Sequence, residues 1–232
     1  MIKTKIKENE LSNELTISSR AYQKFSRIFT NVFPYLPSQG RYNITICNDM
    51  KFVWFRVAKV GTRTIFDVLQ KANLSLDAEH AMSCHYPIND YKNYFKFAFI
   101  RNPWDRLVSC WKNKVIDENH FHFSQEELLK MQKFENFVNF VSEQNISKCN
   151  HHLRLQSKLI DMNNLDYLGR FENFREHLKG IMKIIGIPDI KISRINESKD
   201  RNGYMSYYDE QLIQKVAEIY SRDINLFSYD FA

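Results

Sequence analysis

Phe97-Ala98-Phe99-Ile100-Arg101-Asn102-Pro103-Trp104-Asp105-Arg106-Leu107-Val108-Ser109 is the stretch from which the fold can be read. Phe97 to Ile100 is a short apolar run suited to a buried strand. Pro103 stands where a first-turn helix proline belongs, and Trp104, Leu107, Val108, Trp111 and Val115 form an apolar stripe behind it. A strand therefore feeds a helix. The same order occurs upstream, where Phe52 to Val57 is rich in β-branched and aromatic residues. After a loop, Ile65, Val68, Leu69 and Ala72 fall at i, i+3, i+4 and i+7 of a helix expected from Arg63 to Ala72. Tyr42 to Cys47 reads as a further strand, divided from Phe52 to Val57 by the turn-like Asn48-Asp49.

Downstream, Ser124 with Glu127 makes a capping box for a helix whose later turns carry Phe134, Phe137, Val138 and Val141. A helix is expected over His151 to Ile160, and a strand at Tyr167-Leu168. The stripe Phe174, Leu178, Ile181, Met182 and Ile185 ends at Gly186 and Pro188, and Asp209 caps a last helix carrying Leu212, Val216, Ile219 and Tyr220. Strands alternating with helices predict an α/β fold with a central, mainly parallel sheet flanked by helices. No Pro/Gly/Ser-rich linker divides the chain, so residues 41–232 are expected to form a single domain. Residues 1–40 read as an N-terminal extension or arm, with a helix expected from about Ser19 to Val32. A homo-oligomer in which this arm packs on a second subunit is left open.

Composition narrows the function classes. Of 232 residues, 44% are hydrophobic and 26% charged, which excludes disordered and fibrous classes. There is no apolar run of the ~18 residues a membrane span needs, and the N-terminus lacks the apolar core of a secretory signal. A cytoplasmic protein without an integral membrane segment is expected. Cys47, Cys84, Cys110 and Cys149 form no CxxC pair, so a zinc ribbon or disulfide framework is not indicated. The net charge of +6 favours an anionic partner, but the basic residues are spread out, which argues against nucleic acid.

The loop Ala58-Lys59-Val60-Gly61-Thr62-Arg63-Thr64 lies between a strand and a helix, a turn that aims backbone N–H groups and the positive helix end at one point. Gly61 permits close approach, Lys59 adds a charge, and Thr62 and Thr64 add hydroxyls. It is not GxxxxGK[ST], and no strand-end Asp offers a magnesium site, so a kinase-like nucleotide enzyme is disfavoured and a metal-free anion site fits better. At the second junction Arg101 ends the strand, while Arg106, Ser109 and Asn113 fall at i, i+3 and i+7 opposite the apolar stripe. That face is expected to be polar and cationic. The rival to an enzyme is a non-catalytic basic module binding nucleotide or nucleic acid.

Together these two junctions resemble the donor-binding motifs of the carbohydrate-type sulfotransferases, enzymes that use 3′-phosphoadenosine 5′-phosphosulfate and have a P-loop-like three-layer fold. The resemblance implies that Lys59, Val60, Gly61, Thr62, Arg63 and Thr64 hold the 5′-phosphosulfate and that Arg101 and Ser109 hold the 3′-phosphate. Also similar are His152-Leu153-Arg154-Leu155-Gln156, Gly169-Arg170-Phe171-Glu172-Asn173 and the ending from Ile219-Tyr220 to Phe231. Arg170, and Arg201 in the polar loop Asn196 to Arg201, are taken as further donor contacts. The likeness is strong over 50–116 and looser over 149–231, with 117–148 outside it. Where the family usually has Pro before the loop Lys, this chain has Ala58.

The implied reaction is in-line sulfuryl transfer to a hydroxyl of a saccharide or glycoconjugate, which needs positioning and electrostatic stabilisation. Lys59 is expected to neutralise the departing oxygen, and a His to act as base. By family position the base is His80, with His85 second. His152, Arg154 and Gln156 are candidate acceptor contacts. His120 and His122 read as acceptor-site or surface residues, and no metal is implied.

Overall fold

The computed structural model describes residues 37–188, 190–192 and 203–232. The expected helix over Ser19 to Val32, and Arg201 with its polar loop, lie outside the described residues. Five strands, β1 (Tyr42–Cys47), β2 (Phe52–Phe55), β3 (Ala78–Cys84), β4 (Phe95–Ile100) and β5 (Tyr167–Arg170), form one sheet in the order β3-β1-β2-β4-β5. β2 pairs parallel with β4, and β4 with β5, whereas β1 runs antiparallel to both β2 and β3. The sheet is therefore mixed rather than mainly parallel. The short Asn48-Asp49 turn forces this, since a tight connection joins only antiparallel strands.

All four β2 residues are buried, as are the last five of β4, because covered strands read as continuous apolar runs. Trp54 and Phe97, paired across these strands, stack with centroids 6.0 Å apart. β3 was not expected from the sequence. Its pattern is half polar and its pairing to β1 is irregular, both of which suit an edge strand. On β5, a Cβ at Gly169 would stand 2.6 Å from the Phe99 ring of the paired β4 residue, so glycine is required there.

Two helices leave the carboxyl ends of β2 and β4: α1 (Thr62–Lys71), which buries Ile65, Val68 and Leu69, and α2 (Pro103–Trp111). Pro103 opens α2 and the Asn102 side chain caps it, accepting from the Trp104 N–H at 3.0 Å. α2 continues into a π-turn, Lys112–Ile116, a local widening that recurs at functional sites. The single helix expected from the Ser124/Glu127 capping box to Val141 is two helices: α3 (Gln125–Met131) carries the capping box, and after a break at 132–133 α4 (Phe134–Ser142) buries the four expected apolar residues. α5 (Phe174–Ile184), α6 (Glu210–Ile219, capped by Asp209) and α7 (Ser221–Phe227) complete the chain. The buried apolar residues form one cluster from Tyr42 to Tyr229.

The helix expected over His151 to Ile160 is absent. That segment is a run of turns with a single 3₁₀ turn at Gln156–Lys158. Buried Asp223 takes the N–H groups of Gln156 and Ser157, and Arg154 takes the carbonyls of Lys148 and Cys149, so side chains replace the helical ladder.

Candidate active site

The loop between β2 and α1 is built around two left-handed residues, Lys59 with φ 73° and Gly61 with φ 84°. Gly61 is also closely packed: a Cβ there would lie 2.7 Å from the Phe174 ring. Thr62 Oγ1 donates to the Val57 carbonyl at 3.2 Å and closes the loop, and among the described residues no side chain caps α1. Val60 is buried, so only its backbone can meet a ligand, and Thr64 is buried in the first turn. Arg63 is exposed beside them.

Lys59 Nζ donates to Asn113 Oδ1 at 2.9 Å, so the π-turn of α2 supplies its partner, an amide oxygen rather than a carboxylate. Burial, reinforced by the positive charges of Arg101, Lys114 and Arg63, outweighs the opposing influence of Cys110 and lowers the Lys59 pKa to about 8.

Arg101 joins the two junctions. Its Nη1 donates to the Lys59 carbonyl at 3.1 Å, its Nε and Nη2 form a two-point pair with Asp105 at 2.7 Å, and its guanidinium stacks 4.2 Å from the Phe171 ring centroid. A phosphate at Arg101 must use its remaining N–H groups or displace Asp105. Ser109 lies half-buried on α2. Arg106 corrects the expected cationic face: it is buried and donates to the carbonyls of Ala58 at 3.1 Å, Arg154 at 3.0 Å and His151 at 3.1 Å. It is a tie between segments.

Gln156 is likewise corrected. It is fully buried, its Oε1 accepting from the Arg101 N–H at 3.0 Å and its Nε2 donating to the Arg101 carbonyl at 2.8 Å, so it braces Arg101 and cannot face an acceptor. Arg154 uses its Nε and Nη2 on the carbonyls of Cys149 and Lys148. Arg170 donates to the Phe227 carbonyl and stacks 4.6 Å from the Tyr229 ring centroid. Glu172 accepts from the Asn102 N–H at 2.6 Å and from the Tyr229 hydroxyl at 3.1 Å, which anchors α2 from the opposite side.

His80 is exposed on β3, its Nδ1 3.2 Å from Arg56 Nη1 and its Nε2 3.3 Å from Glu79 Oε1. His85, also exposed, donates from Nδ1 to the Ser38 carbonyl at 2.8 Å. The structure brings three other histidines together: the His120 and His152 ring centroids are 4.7 Å apart, and those of His151 and His152 are 4.0 Å apart. Asn150, which joins two of them, carried no sequence signal. Among the described residues no His/Cys/Asp/Glu group is arranged to hold a metal ion.

An open α/β sheet with a glycine-bearing loop, a half-buried lysine and a second strand-to-helix junction docked on it is a frame suited to an anionic ligand. Residues 42–230 match the model of the Sulfotransferase family, and the chain belongs to that family. It is 29% identical over 112 residues to an uncharacterized protein of Archaeoglobus fulgidus, a match spanning 48% of this chain and 84% of that one. To carbohydrate sulfotransferase 11 of Rattus norvegicus it is 24% identical over 168 residues, 60% of this chain and 47% of the relative. To carbohydrate sulfotransferase 10 of Xenopus laevis it is 25% identical over 187 residues, 66% and 52% respectively. The chain thus spans about half the length of these carbohydrate sulfotransferases. No solved structure matches it.

Proposed function

We propose that this protein is a sulfotransferase that moves a sulfuryl group from 3′-phosphoadenosine 5′-phosphosulfate to a hydroxyl of a saccharide or glycoconjugate, on a P-loop-like frame. The observation that carries this reading is Lys59, half-buried, bonded to an amide oxygen and seated in a loop whose Gly61 opens an uncapped helix. That donor set suits a phosphosulfate: backbone N–H groups and a helix end for the oxygens, and one cation for the charge left on the bridging oxygen. The bound donor supplies an activated sulfur with a stable phosphate leaving group.

The remaining work falls to the chain. Arg101 fixes the Lys59 carbonyl and thereby the loop, while Gln156 and Glu172 hold the backbone of Arg101 and Asn102 from two sides. Lys59 and Asn113 keep the ammonium aimed across the junction. A histidine takes the proton from the acceptor hydroxyl, and family position offers His80 and His85 as candidates. Family membership and the names of the carbohydrate sulfotransferase relatives support the donor and the acceptor class.

The test is thermal unfolding with 3′-phosphoadenosine 5′-phosphate, with AMP and ATP as controls. At about 100 times its Kd a ligand adds ~2.7 kcal/mol, a clear rise in Tm. The reading requires that only the 3′-phosphorylated nucleotide stabilise the protein. Stabilisation by ATP with magnesium alone would replace it with a kinase-like activity.

A further inference from the structure

We propose that His152, oriented by Asn150 and flanked by His120, is the base that takes the proton from the acceptor hydroxyl; the assignment rests on the sulfuryl-transfer reading above. Asn150 Oδ1 accepts from the backbone N–H of His152 at 3.0 Å and lies 2.9 Å from His152 Nδ1. A backbone N–H requires an acceptor, so the atom facing it is the amide oxygen and the neighbouring Nδ1 must carry the proton. His152 Nε2 is left as the lone-pair nitrogen. The other end of the same amide, Nδ2, lies 3.4 Å from His120 Nε2 and donates toward it, which leaves the His120 proton on Nδ1. One asparagine thus sets the same Nδ1–H tautomer in two neighbouring rings, each with its lone pair on Nε2.

The pair is tied to the donor loop. The Arg106 guanidinium holds the Ala58 carbonyl through Nε and the His151 carbonyl through Nη2, each at 3.1 Å, so the residues preceding Lys59 and His152 hang on one planar group. From the other side, the π-turn gives Asn113 to Lys59, and the Lys114 carbonyl accepts the His120 N–H at 3.0 Å. His85 shares the Nδ1–H tautomer but is anchored to Ser38 beyond the edge strand, and His80 has Arg56 at one nitrogen and Glu79 near the other.

Burial, together with the neighbouring imidazoles and the cations Lys114 and Arg106, disfavours charge on His151 and His152, Arg154 adding to this on His151; burial, Lys114 and His122 act likewise on His120 against the carboxylate Glu118. Neutral imidazoles can accept a proton. An anion bound at Lys59 would offset the same cations and raise the basicity of His152. In the transfer, the acceptor O–H proton passes to His152 Nε2 while the oxygen's pair forms the new O–S bond. The S–O bond to the phosphate breaks, and its pair stays on the phosphate oxygen beside Lys59.

Two measurements test this on the full chain. Long-range ¹⁵N–¹H NMR of the histidines should show His152 as the Nδ1–H tautomer, with its pKa rising on addition of 3′-phosphoadenosine 5′-phosphate. With labelled donor and chondroitin, heparosan or water as acceptor, His152→Ala should lower kcat by about 10²-fold or more. The same variant should keep the Tm rise produced by the spent nucleotide. Asn150→Asp should retain activity and move the acid limb of the pH profile upward, whereas Asn150→Leu should lower kcat with little change in the donor KM. An Nε2–H tautomer, a His152 pKa indifferent to the nucleotide, or a His152→Ala kcat within about threefold of the parent overturns the assignment. If the nucleotide fails to stabilise the unmodified protein, the sulfotransferase reading itself falls.

Discussion

Lys59 and Gly61 show how one loop needs two residues for opposite reasons. Lys59 is a charge held where charge is disfavoured, so Lys59→Met should leave Tm unchanged or raised while turnover drops about 10²-fold or more, as for loss of a group that stabilises developing charge. The pH dependence has a defined sign. With the Lys59 pKa lowered to about 8, affinity for 3′-phosphoadenosine 5′-phosphate should weaken as pH rises through that value. Lys59→Arg should flatten the decline, which calorimetry from about pH 7 to about pH 10 would read. Gly61 is required by backbone and by space, given its φ of 84° and the Phe174 ring 2.7 Å from where a Cβ would stand. Gly61→Ala should cost about 1–3 kcal/mol, and adding Phe174→Ala should recover only the steric part, as urea unfolding would reveal.

At the scale of elements, the site depends on where α2 changes from α-helix to π-turn. The wider turn brings Asn113 to Lys59, and the same turn offers the Lys114 carbonyl to His120. Asn113→Asp should pair Lys59 with a carboxylate, raise its pKa, and reduce affinity for the spent nucleotide about tenfold or more without lowering Tm. Equal affinity in the variant would mean that Lys59 does not meet the anion. The junction between β4 and α2 was legible in sequence because Pro103, the apolar run before it and the stripe from Trp104 to Val115 are local signals. The segment from His151 was not, because its N–H groups at Gln156 and Ser157 are taken by Asp223 from far along the chain and its carbonyls at His151 and Arg154 by the Arg106 side chain. A helix read from local sequence over His151 to Ile160 cannot register a carboxylate at position 223.

At the scale of the whole molecule, acid should act on stability through the partly buried histidine cluster. His151 and His152, with pKa values lowered to about 4 and about 2, bind fewer protons folded than unfolded between those values and the ordinary ~6.5. Their contribution to stability is present above about pH 6.5 and is lost as pH falls. A loss on the order of 2 kcal/mol by about pH 5 is expected, and His151→Gln should reduce the slope; an unchanged slope in chemical denaturation would show that other groups govern acid lability. The four cysteines are free thiols, so a reductant should not change Tm.

The sequence by itself determined the strand-to-helix junctions, the helix caps, the anion-ready loop and the membership of one enzyme class, because each depends on residues close together in the chain. The tertiary structure decided the rest. It turned the sheet mixed through the β1–β2 turn, placed β3 at its edge, and moved Arg106 and Gln156 from the expected ligand-facing surface into the frame around Arg101. It also drew His120, Asn150 and His152 into one cluster. The physical reason is that a buried polar group must find a partner, and which partner it finds depends on how distant segments fold onto one another, which no local spacing encodes.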